Sequence, residues 1–247
     1  AVSMAVLRVL ETEGGLDLPA TATLLAGHSL GEYAALAAAR SLGIAQTAKL
    51  LRLRGQAMQK AVPAGEGGMA ALIGATLEQA EEICTQASKT ALVEIANDNG
   101  GGQIVLSGQM AGIDAAIALA KEMKIKRAVK LPVSAPFHSS LMKPAEAIMA
   151  EALEQASIAA PIVPVIANVT AQRETDADTI RKNLVQQVTG RVRWEESVRA
   201  MVEMGVDSFV EIGAGKVLAG LVRRIAPDVT TTSVGTPDEI ESFLKSL

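Results

Sequence analysis

Ser29, flanked as Gly27-His28-Ser29-Leu30-Gly31, is the residue of this chain best placed to do chemistry. The G-x-S-x-G spacing lets a chain turn sharply from a strand into a helix, because glycines remove the side chains that would collide there, and it leaves the hydroxyl exposed above the sheet. Its position at a helix start also brings backbone N–H groups, that of Leu30 in particular, to where an oxyanion would develop. The competing reading makes Ser29 a plain helix N-cap. Five residues do not decide between the two; the strand expected before them and the helix expected after them favour the nucleophile.

A serine hydroxyl needs a base, and the chain has two histidines, His28 and His138. His28 adjoins Ser29, so at a tight turn its side chain should diverge, and it is assigned to packing or turn support. His138 lies in SAPFHSS, a loop after the strand LPV, where an α/β scaffold displays functional groups. By elimination it is the candidate base; the competing reading is a histidine satisfied in the core or at the surface. An acidic third member has several candidates, Glu32, Asp98, Asp207 and Glu211, and spacing alone does not choose among them. Neither histidine has a cysteine or carboxylate at ligand spacing, and GAGKV at Gly213 to Val217 falls short of the phosphate-loop pattern, so no metal or nucleotide site is expected and Lys216 is a loop or helix-start lysine.

These groups need a scaffold, and the pattern of the chain supplies one. ATLLAGHS reads as a short buried strand ending at Gly27, LGEYAALAAARSLG as a helix stopping near Gly43, and Ile44 to roughly Val62 as a second helix. A helical rhythm at Val2, Ala5, Val6 and Val9 precedes them, with a loop from Leu18 to Thr23. Pro63, Gly65, Gly67 and Gly68 mark a boundary. Beyond it, GGMAALIG, VEIANDNG, GQIVLSG and RAVKLPV read as strands. TLEQAEEICTQAS, opened by Thr76, and MAGIDAAIALAKEMKI read as helices, completing a β-α-β-β-α-β unit. After it come a loop leading into a helix to about Leu153, the strand PIVPVIANVT, helices at DADTIRKNLVQQVTG and WEESVRAMVEMG, the strand DSFVEIG and the helix GKVLAGLVRRIAP. Such alternation predicts a mostly parallel sheet covered on both sides. The expected division is a catalytic core over 1–65 and 132–247 with an inserted subdomain over 66–131.

Composition narrows the class. The chain is 247 residues long, 49% hydrophobic, and carries a formal net charge of -4 with no long block of one sign, which argues against a general nucleic-acid surface. Aromatic residues amount to 2%, too few for base-stacking platforms. The single cysteine, Cys84, excludes an internal disulfide framework and fits a reducing compartment. The first residues lack the features of a signal peptide, and apolar runs break before reaching a membrane span, so a soluble protein is expected.

Taken together and in order, GHSLGEYAAL, LRLRGQAMQ, GMAALIG, LPVSAPFHSSLMKPA, VPVIANVT and EIGAGKVL resemble the malonyl-CoA:acyl-carrier-protein transacylases of type II fatty acid synthesis, over nearly the whole chain. The resemblance implies an α/β-hydrolase-like core with a ferredoxin-like insertion, a cytoplasmic location, a monomer, no permanently bound cofactor, and ping-pong transfer. In that scheme Ser29 takes the malonyl group from malonyl-CoA and gives it to the phosphopantetheine thiol of holo acyl carrier protein, with His138 as general base and then acid. It further implies that a backbone carbonyl at Gln187, not a carboxylate, orients His138, and that Arg54 holds the malonyl carboxylate, a task suited to a guanidinium fork. Arg52 has no motif match and is read as solvent-facing. Phe137 is similar to the bulky residue that leaves little room for a branched methylmalonyl group, and Asn97 and Asn99 match a segment near the substrate entrance. The family's G-Q-G-S-Q loop, whose second glutamine adds backbone to the oxyanion hole, has no counterpart in the sequence, and without it Leu30 is expected to supply one donor only.

Other readings remain open at the level of sequence. A serine esterase or thioesterase would use water as acceptor, although Arg54 argues for a substrate with a free acid group. A polyketide-synthase acyltransferase domain would share every residue named. A noncatalytic carrier-binding module would need only a basic surface, drawn from Arg181, Lys182, Arg191, Arg193, Arg223 and Arg224.

Overall fold

The structure is a computed structural model and describes residues 1–246. Its strands are β1 (Leu25–Ala26), β2 (Gly67–Ile73), β3 (Val93–Asp98), β4 (Gln103–Gln109), β5 (Arg127–Lys130), β6 (Val165–Ile166), β7 (Arg173–Glu174), β8 (Val192–Arg193), β9 (Ser208–Ile212) and β10 (Thr230–Val234). Among the described residues the core strands fall into two ladders. β1 pairs in parallel with β6, which pairs antiparallel with β7, while β9 and β10 form a separate parallel pair.

Strand β6 covers only two residues of PIVPVIANVT, for a local reason. Pro161 and Pro164 lack donors for a ladder. Downstream, the Ala167 and Ala171 backbones close a tight turn, and the Asn168 N–H is drawn to the Glu32 side chain.

The helices that follow β1 wrap the core on one side. Leu30–Ala38 is short, rich in alanine and leucine, and buries Tyr33 and Leu36 completely. It packs with Ile44–Lys60, Lys143–Glu154 and Ala177–Gln186 around Leu50, Met58, Met142, Met149, Leu153, Ile180 and Leu184. Each such fully buried aliphatic side chain stabilises the fold by about 1.5–3 kcal/mol. On the other side Trp194–Glu203 and Val217–Ile225 close over Ile166 and Val192. Leu18–Thr21, read as loop, makes one helical turn with Pro19 in its first turn.

Residues between Gly67 and Lys130 have their own core, built on Leu72, Ile83, Leu106 and Ile113. The strand order β5-β2-β4-β3 is antiparallel throughout, and helices Leu77–Ala87 and Met110–Glu122 pack against it. Thr76 opens the first helix through a capping box with Gln79, satisfying two end groups reciprocally. At its edge β3 pairs in parallel with β8, so this sheet reaches the rest of the molecule through Asn97 and Asp98 opposite Val192 and Arg193. Candidate site residues lie close to that seam.

Candidate active site

Ser29 leaves β1 with φ 52° and ψ −108°, a conformation that non-glycine residues rarely adopt. It occupies the N-cap position of helix Leu30–Ala38 but makes no side-chain cap bond; its Oγ points elsewhere. That geometry removes the plain N-cap reading. The two glycines of the motif differ in duty. A Cβ on Gly27 would sit 2.0 Å from the Gly31 carbonyl oxygen, whereas one on Gly31 would meet nothing within 4 Å.

Asn168, which sequence reasoning passed over, braces the turn from the far side. Its Oδ1 accepts the Ser29 N–H at 2.6 Å and its Nδ2 donates to the Gly27 carbonyl at 2.8 Å. One amide thus partners two groups that the turn takes out of the regular ladder.

Ser29 Oγ lies 2.7 Å from His138 Nε2. On the opposite edge of the ring, Nδ1 faces the carbonyls of Gln187 at 2.9 Å and Gly190 at 3.1 Å. Two acceptors around Nδ1 require a proton there, so Nε2 is unprotonated and accepts from the serine hydroxyl. Burial, then the charge of Arg54, then His28, push the His138 pKa down to about 3, which keeps the ring neutral and able to take a proton at neutral pH. No carboxylate occupies the third position. Of the acids considered from sequence, Glu211 accepts from Leu218 and Ala219 at a helix start and Asp98 from Gly100, while Glu32 lies two links away through Gln187.

The loop that carries His138 is itself fixed. Ser139 Oγ donates to the Pro136 carbonyl, the Ser140 N–H donates to Glu94, and Gly67 lies so close beneath the Pro136 ring that a Cβ there would approach within 2.5 Å. His138 has φ 56°, so both members of the pair sit in sparsely populated backbone conformations.

Arg54 is the third arrival. Helix Ile44–Lys60 points it inward at 6% exposure while Arg52, two residues earlier, faces solvent. Its Nη2 donates to Ser29 Oγ at 3.1 Å and to Gln187 Oε1 at 3.0 Å, its guanidinium lies 5.8 Å from the centre of the Tyr33 ring, and its Nε is buried with no partner. Burial lowers its pKa, opposed by Tyr33 and Glu32. A buried cation with an unused donor beside a nucleophile is a site for an anionic group.

Gln187 contributes more than its backbone. Its Nε2 donates to the Ser29 carbonyl at 3.0 Å and to Glu32 Oε2 at 2.7 Å. Glu32, in the first turn after the nucleophile, is buried with its pKa raised to about 7, chiefly by loss of water. The remaining candidates form a periphery. His28 turns away as expected, its Nε2 reaching Asn99 Oδ1 at 2.8 Å and its ring lying 5.6 Å from that of Trp194. Asn99 therefore meets the turn through His28, and Asn97 is buried at the β3–β8 seam. Phe137 packs between the main core and the cluster of Met69, Ala96 and Val105. Leu30 exposes its side chain, and as the first helical residue its N–H has no acceptor within the helix.

Several of the basic residues considered as a carrier surface are already engaged: Arg181 with the Leu153 and Ala156 carbonyls, Arg193 and Arg191 with Glu196, Arg224 with Gln103. Lys216 pairs with Glu239 at 2.7 Å. Among the described residues no group of three or more His, Cys, Asp or Glu could hold a metal ion, and no helix is long and apolar enough to cross a membrane.

Comparison with known proteins gives one answer. A family model described as acyl transferase domain matches residues 1–237. The malonyl CoA-acyl carrier protein transacylase of Bacillus subtilis is 44% identical over 228 residues, covering 92% of this chain and 72% of the relative. The crystal structure of acyl-carrier-protein-S-malonyltransferase from Bartonella henselae superposes with a TM-score of 0.96 at 53% identity, covering 99% of this chain and 78% of the other. A malonyl-transacylase solved in complex with its holo type II polyketide-synthase acyl-carrier protein superposes at 0.95 with 37% identity, covering 100% of this chain and 78% of the other.

Proposed function

The chain belongs to the malonyl CoA-acyl carrier protein transacylase family, and from that premise we propose how its residues divide the work. The reaction moves a malonyl group from malonyl-CoA to acyl carrier protein by way of a catalytic serine, on an α/β-hydrolase-like fold with an inserted subdomain. Residues 66–131 are that subdomain, and 1–65 with 132–247 are the catalytic core.

Ser29 is the nucleophile. Its Oγ attacks the thioester carbonyl while its proton passes to His138 Nε2, and the negative charge that develops on the carbonyl oxygen is met by the Leu30 N–H. Collapse of the adduct breaks the C–S bond, and His138 returns the proton to the departing coenzyme A thiolate. In the second half the phosphopantetheine thiol of the carrier protein gives its proton to His138 and attacks the malonyl-serine ester, and Ser29 leaves with that proton restored. The carbonyls of Gln187 and Gly190 stabilise the imidazolium that exists between these steps, the part a carboxylate plays in other serine enzymes.

Arg54 receives the free carboxylate of the malonyl group. Pairing there holds the thioester over Ser29 and favours malonyl over acetyl, which has nothing to offer the guanidinium. Phe137, wedged beside His138, limits room for a branch at the α-carbon, and Asn97 and Asn99 line the approach from the β3 side.

The observation that carries this reading is the convergence on Ser29 Oγ of a neutral histidine at 2.7 Å and a buried arginine at 3.1 Å. It is tested by incubating the protein with malonyl-CoA and mapping the adduct by mass. A malonyl group on Ser29 that is discharged by holo carrier protein is expected. Steady release of free malonate without transfer identifies a hydrolase instead.

A further inference from the structure

One carboxyl group connects the two halves of the site. Glu32 Oε2 accepts from Gln187 Nε2 at 2.7 Å and from the Asn168 backbone N–H at 3.1 Å. Each partner then makes a second contact at the reacting centre. Asn168 carries the side-chain amide that braces Ser29 N–H and the Gly27 carbonyl. Gln187 carries the Oε1 that accepts from Arg54 Nη2, and the backbone carbonyl that orients His138. Glu32 itself is 1% exposed and touches none of the reacting atoms through these bonds.

We propose that Glu32 is a positioning residue that sets the malonyl preference, by holding the Gln187 amide and the Asn168 backbone so that the guanidinium of Arg54 and the hydroxyl of Ser29 stay in register. The inference rests on the reading above, in which Arg54 binds the malonyl carboxylate. Beside Ser29 Oγ, Gln187 Oε1 is the side-chain acceptor that Arg54 Nη2 reaches, so it is the contact that aims the fork when the guanidinium takes up a malonyl carboxylate. The Gln187 amide is in turn fixed at its nitrogen by two acceptors, Glu32 Oε2 and the Ser29 carbonyl. Withdrawing the Glu32 oxygen leaves that amide held from one side. Displacements of about 1 Å at such a remove cost on the order of a hundredfold in rate.

Reach and charge separate cleanly in two conservative variants. Glu32→Asp keeps the charge but retracts the oxygen by one methylene; Glu32→Gln keeps the reach and an amide oxygen for the same two N–H donors. Steady-state transfer to holo carrier protein is measured with malonyl-CoA and acetyl-CoA, and the ratio of the two kcat/KM values is the readout. The expected result is a ratio lowered about tenfold or more in Glu32→Asp and restored to within about threefold of the parent in Glu32→Gln. A merely structural carboxyl would lower both substrates together, in step with Tm, and leave the ratio alone. An unchanged ratio in Glu32→Asp, or a ratio in Glu32→Gln as low as in Glu32→Asp, overturns the proposal. Failure of the parent protein itself to form malonyl-Ser29 would instead overturn the reading on which it rests.

Discussion

Ser29 and Asn168, 139 residues apart, are joined by a 2.6 Å hydrogen bond from the serine backbone N–H to the asparagine side chain. The same amide returns a bond to the Gly27 carbonyl, so the strained turn is clamped on both sides of His28 by one residue from the end of β6. A residue held at φ 52° and ψ −108° stores about 1–3 kcal/mol that its surroundings must offset.

Removing the clamp should release the turn. Asn168→Ala leaves the Ser29 N–H and the Gly27 carbonyl without that partner, and is expected to lower stability by about 1–3 kcal/mol and kcat/KM on the order of a hundredfold. Asn168→Asp keeps an acceptor for Ser29 but turns an oxygen toward the Gly27 carbonyl, and should restore neither. Urea unfolding and steady-state transfer check the pair; full activity in Asn168→Asp would show that the Gly27 bond is idle.

The low pKa of His138 has a direction that can be measured. Buriedness is its largest cause and the Arg54 charge its second, so the ring gains a proton only well below its ordinary value near 6.5. In the proposed mechanism acylation of Ser29 needs the neutral ring, and kcat/KM reports the free enzyme. The acid limb of kcat/KM for acetyl-CoA should therefore fall far below pH 6.5 in the parent. In Arg54→Ala it should move upward while remaining below 6.5, since burial persists. A limb that stays put on removal of Arg54 would count against the guanidinium as a cause.

What the sequence made legible and what it hid follow from how local each signal is. G-H-S-L-G declared the turn because a strand, a glycine and a helix start lie within a few residues. The β-α-β-β-α-β unit showed itself because β2, β3 and β4 are long enough to read as apolar runs between glycines and its first helix carries its own cap at Thr76. By contrast Asn168 and the Glu32 carboxyl act over more than a hundred positions, through an amide and an acid whose residue types fit any turn or helix surface. Gln187 was found through its likeness to a family, for a backbone carbonyl carries no sequence signature. The core strands were hard to bound because β1, β6, β7 and β8 are two residues each, shorter than any period can register. Strand β10 and the C-terminal helix Pro237–Leu244 were passed over, although Thr236 and Glu239 spell a capping box there.

Glu32 should also leave a mark on stability. Its pKa is about 7 in the folded protein against 4.5 for the free side chain, because burial, with Glu174 adding to it, outweighs Gln187, Asn168 and Arg54. The folded state therefore holds its proton longer than the unfolded state, and stability is lost as pH rises from 4.5 toward 7 and levels off above. Glu32→Gln removes this dependence. The difference in unfolding free energy between Glu32→Gln and the parent should grow in favour of the variant by about 3 kcal/mol across that window. His138 is common to both proteins, so its opposite trend, a loss of stability as pH falls below 6.5, cancels in the difference. Urea unfolding at pH 4.5, 6 and 8 checks it, and a constant difference would mean that the carboxyl ionises as freely folded as unfolded.

The two glycines around Ser29 make opposite predictions although the motif names them symmetrically. At Gly27 a Cβ would be driven to within 2.0 Å of the Gly31 oxygen and 2.1 Å of its carbonyl carbon, both backbone atoms of the helix that the turn must enter. Backbone cannot swing aside as a side chain can, so Gly27→Ala must open the turn and is expected to abolish Ser29 malonylation and lower Tm. At Gly31 a Cβ meets nothing within 4 Å, and the residue lies inside helix Leu30–Ala38, where alanine is favoured over glycine by up to about 1 kcal/mol. Gly31→Ala should therefore fold as well as the parent or slightly better. Thermal unfolding of the two variants side by side decides the matter: equal losses would mean that the close approach of Gly27 to Gly31 does not govern the turn.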